Sequence, residues 1–241
     1  MHLATCRTGK VFILYDADSV CDANLRPQIT PQLFSPAHWR ETDRVVGEAP
    51  GRGSSLFLDA NGAQWVLRPY RRGGLIAKLA RQRYLWMGLE RTRAFRELRL
   101  TAELYAQGLP VPRPVAAGVT RHGLAYEAAL ITVRIPGGRS LADRLIEQSA
   151  SDALLEAVGR TIRRFHDAGL DHVDLNARNL LVDEQEKVWL IDLDRCRLRN
   201  AGNWQQANLR RLERSLEKFG ATEASAAVRR GYADDSTIRR G

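Results

Sequence analysis

The 241-residue sequence is poor in cysteine, methionine and lysine, and it has no long apolar run. Its three cysteines, Cys6, Cys21 and Cys196, are scattered, with no Cys-x-x-Cys pair, and the five histidines do not group with them. That argues against a disulfide framework and a cysteine-bound zinc site. It fits a reducing compartment, so the cytoplasm is the expected location. The longest apolar stretches, 11–15 and 128–133, fall far short of the ~20 residues a spanning helix needs and read as buried strands. No basic start leads into an apolar stretch with a small-residue cleavage site, so no secretory leader is expected. Of 37 basic residues only Lys10, Lys78, Lys187 and Lys218 are lysines.

What is abundant is arginine. With 28 acidic residues the formal net charge is +9, and some partner should be anionic: nucleic acid, a membrane surface or a phosphorylated small molecule. Arginine forks suit phosphate and carboxylate. A nucleic-acid reading rests on charge alone, with no recognition motif behind it, and no nucleic-acid partner is expected. Apolar residues make up 44% and charged residues 27%, which suits a folded chain rather than a disordered one.

Residues 9–15 read as a strand, 22–37 as irregular chain, and Ser35-Pro36 as the opening of a short helix through Glu41. Residues 44–70 read as strand, glycine-rich turn (Gly51-Arg52-Gly53-Ser54-Ser55), strand, Asn61-Gly62 turn, strand. Residues 92–107 form an amphipathic helix closed by Gly108 and Pro110, followed by strands around 115–119 and 125–134. Pro136-Gly137-Gly138 is the best linker. Helices follow at 140–148, 151–168 and 203–218, with short strands at 179–193 and a polar tail from Tyr232. Strands first and helices later predict an α+β chain with two lobes, 1–135 and 136–241.

The segment HVDLNARNLLVDEQEKVWLIDLD, residues 172–194, carries the chemistry. Two apolar runs, 180–182 and 188–191, joined by a polar turn, form a hairpin that returns Asp192 close to Asn179. An amide oxygen and a carboxylate so placed suit Mg²⁺, a hard cation that also binds substrate phosphates. Asp174, on the preceding loop, sits where it can orient and deprotonate an attacking hydroxyl. His172 is expected to organise the loop backbone and His166 to be packed structurally. Asp194 reads as a neighbour of the metal-binding residue or a partner of Arg195 or Arg197. Asp171 reads as a loop residue. Arg195, Arg197 and Arg199 read either as contacts for acceptor phosphates or as solvent-facing.

The order and spacing of His172, Asp174, Asn179 and Asp192 resemble the catalytic loop and metal-binding Asp of the protein-kinase-like fold. The resemblance places Gly51, Gly53 and Ser54 in a phosphate-approaching loop. Arg68 stands where the third strand carries a phosphate-binding Lys, with Lys78 as the fallback, and Glu97 is the helix partner. Val173 replaces the usual Arg and no Ala-Pro-Glu segment follows Asp192, so neither activation-loop control nor a peptide-docking platform is expected. The stretches RPYRRGGLIAKL, RAFRELRLTAELYAQGLPVPRPVAAG, LITVRIPGGRSLAD, FHDAGLDHVDLNARNLLVD and WLIDLDRCRLR are similar to the 3-deoxy-D-manno-octulosonic acid (Kdo) kinases, over roughly residues 40–220.

That resemblance implies a bilobal kinase with ATP and Mg²⁺ as cofactors, acting on the 4-hydroxyl of Kdo on a lipid A precursor. It also implies peripheral attachment to the cytoplasmic face of a bacterial inner membrane. A heptose or other small-sugar kinase of the same fold is the nearest alternative. A non-catalytic lipid-binding module is the alternative from another class, although a scaffold needs none of Asp174, Asn179 and Asp192. The basic segment 71–93 mixes Arg71, Arg72, Lys78, Arg81, Arg83, Arg91 and Arg93 with Tyr84, Trp86, Leu85 and Met87. It reads either as a contact for an anionic lipid surface or as a helix with an aromatic core face.

Overall fold

The computed structural model describes residues 1–20, 28–49, 55–70 and 83–234. The chain divides into two compact units, Met1–Glu103 with Arg113–Arg134, and Leu104–Pro112 with Ile135–Gly241. The boundary expected at 135 is present, and the chain also passes to the second unit for Leu104–Pro112 and back before it.

The first unit is built on β1 (Leu3–Thr8), β2 (Val11–Asp16), β3 (Val45–Glu48), β4 (Leu56–Ala60), β5 (Ala63–Pro69), β6 (Tyr84–Leu85), β7 (Pro114–His122) and β8 (Ala125–Val133). These make one antiparallel sheet in the order β1-β2-β7-β8-β5-β4-β3, with β6 beside β8. The Asn61-Gly62 turn joins β4 to β5 as expected, with both residues at positive φ. Strand β1 was not anticipated, and it shows what the first residues do: they add an edge strand to the sheet.

Alternation along the strands sends side chains to two faces. Ile13, Leu56, Leu58, Leu67, Val115 and Ile131 form one buried cluster. Over it lie the 3-10 turn Pro31–Phe34 and α2 (Pro36–Glu41), whose Trp39 is fully buried. Ser35 caps α2 by accepting from the His38 N–H, and Pro36 opens it, as the sequence predicts. A Cβ at Gly118 would lie 2.5 Å from the Phe34 ring, so a glycine in β7 is what lets that ring cross the sheet. Leu14, Ala117, Val119, Tyr126 and Leu130 form the other face and pack on Phe95 and Leu98 of α3 (Arg93–Ala106). Helix α1 (Ala17–Val20) follows β2.

The described part of 71–93 departs from a helix. Tyr84–Leu85 is the short strand β6, and Leu89–Arg91 is a 3-10 turn. Tyr84 and Trp86, expected at an interface or in a helix core, pack instead on the sheet, against Tyr126 and Phe12. Arg71, Arg72, Lys78 and Arg81 lie outside the described residues.

The second unit carries α4 (Leu141–Ile146), α5 (Asp152–Asp167), α6 (Trp204–Glu217), α7 (Ala224–Ala233) and short strands β9 (Arg139–Ser140), β10 (Leu170–Asp171), β11 (Leu180–Val182), β12 (Val188–Leu190) and β13 (Arg197–Leu198). Among the described residues no helix is long and apolar enough to cross a membrane. Helix α7 corrects the polar tail expected from Tyr232, which lies inside it. Cβ atoms at Gly159 and Gly231 would meet backbone atoms of Val228 and Glu156 within 2.1 Å, so α5 and α7 touch backbone to backbone. Arg230 adds bonds to Glu156 and Asp152.

Candidate active site

The second unit places Asp174, Asn179 and Asp192 along one loop and hairpin. The turn between β11 and β12 is tied by Asp183, whose Oδ1 accepts from the N–H groups of Gln185 and Lys187 and whose Oδ2 accepts from Trp189 Nε1. This fixes the register Leu180↔Leu190, Leu181↔Trp189, Val182↔Val188. The ladder continues one step further, the Ile191 N–H donating to the Asn179 carbonyl at 3.0 Å. Asp192 therefore follows directly on the residue opposite Asn179, which is what the spacing in the sequence predicts. Asp192 adopts φ 60°. Aspartate tolerates this left-handed conformation better than most residues but still at a cost of about 1 kcal/mol or more.

The loop before the hairpin is held by amides. Asn179 Nδ2 and Asn176 Nδ2 both donate to the Asp174 carbonyl at 2.9 Å. Asn176 Oδ1 accepts from the N–H groups of Arg178 and Asn179, and the Ala177 N–H donates to Ser215 Oγ. The Asn179 amide nitrogen is thus committed to the loop, which leaves Oδ1 as the oxygen a cation would meet. The Asp174 residue is exposed while its neighbours His172, Leu175 and Asn179 are buried. Asn176 was not singled out in the sequence. Its signal was the Asn-x-x-Asn spacing, since an Asx turn at 176 brings residue 179 back over 174.

His172 organises the loop, as expected: Nε2 donates to the Ile191 carbonyl at 3.1 Å, tying the loop to the end of the hairpin. Burial pulls its pKa below the ordinary histidine value, so it stays neutral at neutral pH. His166 is packed between Trp204 and Tyr232, its Nδ1 2.9 Å from the Tyr232 hydroxyl, and burial lowers its pKa to about 4. Asp171 is not a loop residue. It lies in β10, is buried, and pairs with Arg199 at 3.0 Å and Arg197 at 3.6 Å across β10 and β13. Two of the three arginines considered for acceptor phosphates are therefore held by a carboxylate. Asp194 lies 4.0 Å from Arg195.

The first unit holds the other expected pair. Arg68 of β5 and Glu97 of α3 form an ion pair, and the Tyr70 hydroxyl donates to the second Glu97 oxygen. Glu97 is 4% exposed, so it is no solvated helix charge, whereas Glu103 farther along α3 is exposed. The guanidinium groups of Arg68 and Arg93 lie 5.0 and 5.2 Å from the Tyr70 ring. Tyr70 was missed in the sequence. It follows Arg68 by two residues, as the period of a strand requires for a shared face. Gly51, Gly53, Ser54 and Lys78 lie outside the described residues.

The chain matches the lipopolysaccharide kinase (Kdo/WaaP) family over residues 36–232. A 3-deoxy-D-manno-octulosonic acid kinase of Stenotrophomonas maltophilia (strain K279a) is 47% identical over 234 residues, covering 96% of this chain and 91% of that protein. The enzyme of the same name from Vibrio cholerae serotype O1 is 45% identical over 187 residues, covering 78% of this chain and 80% of that protein. Among solved structures, WaaP in complex with acyl carrier protein resembles the chain at TM-score 0.53 and 19% identity, over 84% of this chain and 83% of that one. The likeness carries the protein-kinase-like α+β fold expected from the sequence. With most of its length inside the family's match and nearly half its residues shared with members of it, this chain belongs to the lipopolysaccharide kinase (Kdo/WaaP) family.

Proposed function

We propose that the chain is an ATP-dependent kinase that phosphorylates the 4-hydroxyl of Kdo on a Kdo-bearing lipid A precursor, working peripherally at the cytoplasmic face of a bacterial inner membrane. The names of its relatives support the sugar. The observation that carries the chemistry is the hairpin register that sets Asp192 beside Asn179, with the Asn179 amide holding the backbone of Asp174.

Asp174 orients the sugar hydroxyl and takes its proton as the γ-phosphoryl group leaves ATP. Its exposed carboxylate rises from a loop whose backbone is pinned by Asn176 and Asn179, so positioning costs little at the moment of reaction. Asn179 Oδ1 and Asp192 would hold Mg²⁺. Two protein ligands suit an ion that keeps waters and takes the rest of its shell from substrate phosphates. Bound there, Mg²⁺ neutralises charge on the phosphates. Arg68, held by Glu97 and Tyr70, meets nucleotide phosphate, its planar fork taking the role a lysine plays elsewhere. By the sequence resemblance alone, Gly51, Gly53 and Ser54 are the candidates to approach the phosphates, with Lys78 as the second candidate cation.

The test is transfer of radiolabel from ATP to a Kdo-bearing lipid A precursor with Mg²⁺, run beside Asp192→Ala. Label in the lipid at the 4-position, lost in the variant, is the expected result. Label only in a heptose acceptor would move the function to the alternative sugar. ATP binding without transfer to any sugar would remove the kinase reading.

A further inference from the structure

Seven large apolar side chains stand exposed among the described residues, and three of them gather at one end of the first unit's sheet. Leu124 tips the turn between β7 and β8 and is 78% exposed, while Leu85 and Met87 are 64% and 61% exposed. Their proximity follows from the sheet: Leu85 pairs with Ala125, and the Trp86 N–H donates to the Leu124 carbonyl at 2.9 Å. The β1–β2 turn lies alongside, the Arg121 N–H donating to the Lys10 carbonyl. Turn tips ordinarily carry small or polar residues. A leucine there, flanked by two more exposed apolar side chains, is unfavourable in water.

The rim of this patch is basic. Arg7, Lys10, Arg83 and Arg121 are all exposed. Two of them are braced, with Arg7 Nε donating to the Gly9 carbonyl and its guanidinium over Phe12, and Arg121 Nε donating to the Gly123 carbonyl with its guanidinium over Trp86. Glu127 is the acidic group at hand, 3.2 Å from Arg83 and 3.6 Å from His122.

We propose that this end of the sheet docks the chain on an anionic lipid bilayer, with Leu85, Met87 and Leu124 entering the acyl boundary and Arg7, Lys10, Arg83 and Arg121 meeting lipid phosphates. Apolar tips inside a basic ring match an interface of apolar chains beneath anionic headgroups. The proposal rests on the peripheral-membrane part of the reading above and gives it a surface.

The test is sedimentation of the full-length chain with vesicles of phosphatidylglycerol and phosphatidylethanolamine, against vesicles of phosphatidylcholine alone. Leu124→Asp and Lys10→Glu are compared with the unaltered chain, and thermal melts confirm that both fold. Neither residue belongs to the active site. Leu124→Asp should cost ten-fold or more in partitioning, the scale of one withdrawn leucine. Lys10→Glu should cost on the order of ten-fold on anionic vesicles and little on phosphatidylcholine. Strong quenching of an added Leu124→Trp by lipids brominated in the acyl chain would support insertion at this tip. Binding by the unaltered chain that neither variant weakens would overturn the patch and leave membrane attachment standing. No binding by the unaltered chain would overturn both. A dimer that Leu124→Asp makes monomeric, without vesicle binding, would assign the patch to a second copy.

Discussion

The two sets of candidate catalytic groups are held in different ways. In the second unit, Asp174, Asn179 and Asp192 are placed by backbone: a strand register, two amides on one carbonyl, and a buried neutral histidine bonded to the end of the hairpin. In the first unit, the backbone of Arg68 is set by its register in β5, opposite Leu130, but its guanidinium is positioned by a side chain, Glu97, which Tyr70 braces. Backbone-held groups can be altered at their tips without loosening the frame. Side-chain-held groups are part of their own frame, so the same truncation strikes function and stability together.

The sharpest way to break that contrast is Asp174→Ala. Its carbonyl, not its carboxylate, carries the loop bonds, so turnover should fall 10²–10⁴-fold, roughly the scale of a lost general base, while the melting temperature stays put. A comparable fall in both would show that the carboxylate also holds the loop. Glu97→Ala should do the opposite. It leaves a largely buried guanidinium without its carboxylate and should cost about 3 kcal/mol in denaturant unfolding, along with much of the activity. Retained stability would mean that Arg68 finds another anion.

The protonation of His166 probes the second unit's frame by pH. Its folded pKa of about 4 lies below the usual 6.5. The unfolded chain therefore binds the proton more readily, and stability is lost as pH falls from 6.5 towards 4. The lowered His172 acts in the same direction. Denaturant midpoints across that window should fall, with His166 contributing up to ~3 kcal/mol, and His166→Gln should flatten the fall. Smallest is Asn176→Ala, which removes one of the two amides on the Asp174 carbonyl and the Oδ1 acceptor of the Arg178 and Asn179 N–H groups. It should cost about 1–2 kcal/mol and a modest loss of kcat with KM for ATP little changed. A loss as large as that of Asp174→Ala would make Asn176 the dominant support of the loop.

The same contrast explains what could be read in the sequence. A backbone-held site has a fixed count of residues between its groups, so His172, Asp174, Asn179 and Asp192 were visible as spacing. The Arg68–Glu97 pair spans 29 residues and was visible only through strand and helix phase, which also explains why Tyr70 escaped notice. The hairpin at Asn61-Gly62, the Ser35-capped helix and α3 were legible because turn chemistry, capping and apolar period agree locally. Strand β1 was not, since LATCRT packs on one neighbour at a sheet edge and alternates weakly. Helix α7 was not, because ASAAVRRGYA packs through glycine and alanine rather than through a leucine stripe. Asp171 was misplaced because a two-residue strand has no pattern to show.

The close seam between α5 and α7 has a consequence for how the molecule opens. Helices that meet through glycines have no intervening side chains to loosen first, so α7 should not fray as a terminal segment would. Its amide hydrogens should exchange at the rate of those in α5, the two helices opening as one cooperative unit. The last described helix is then a clasp on the core rather than a trailing end.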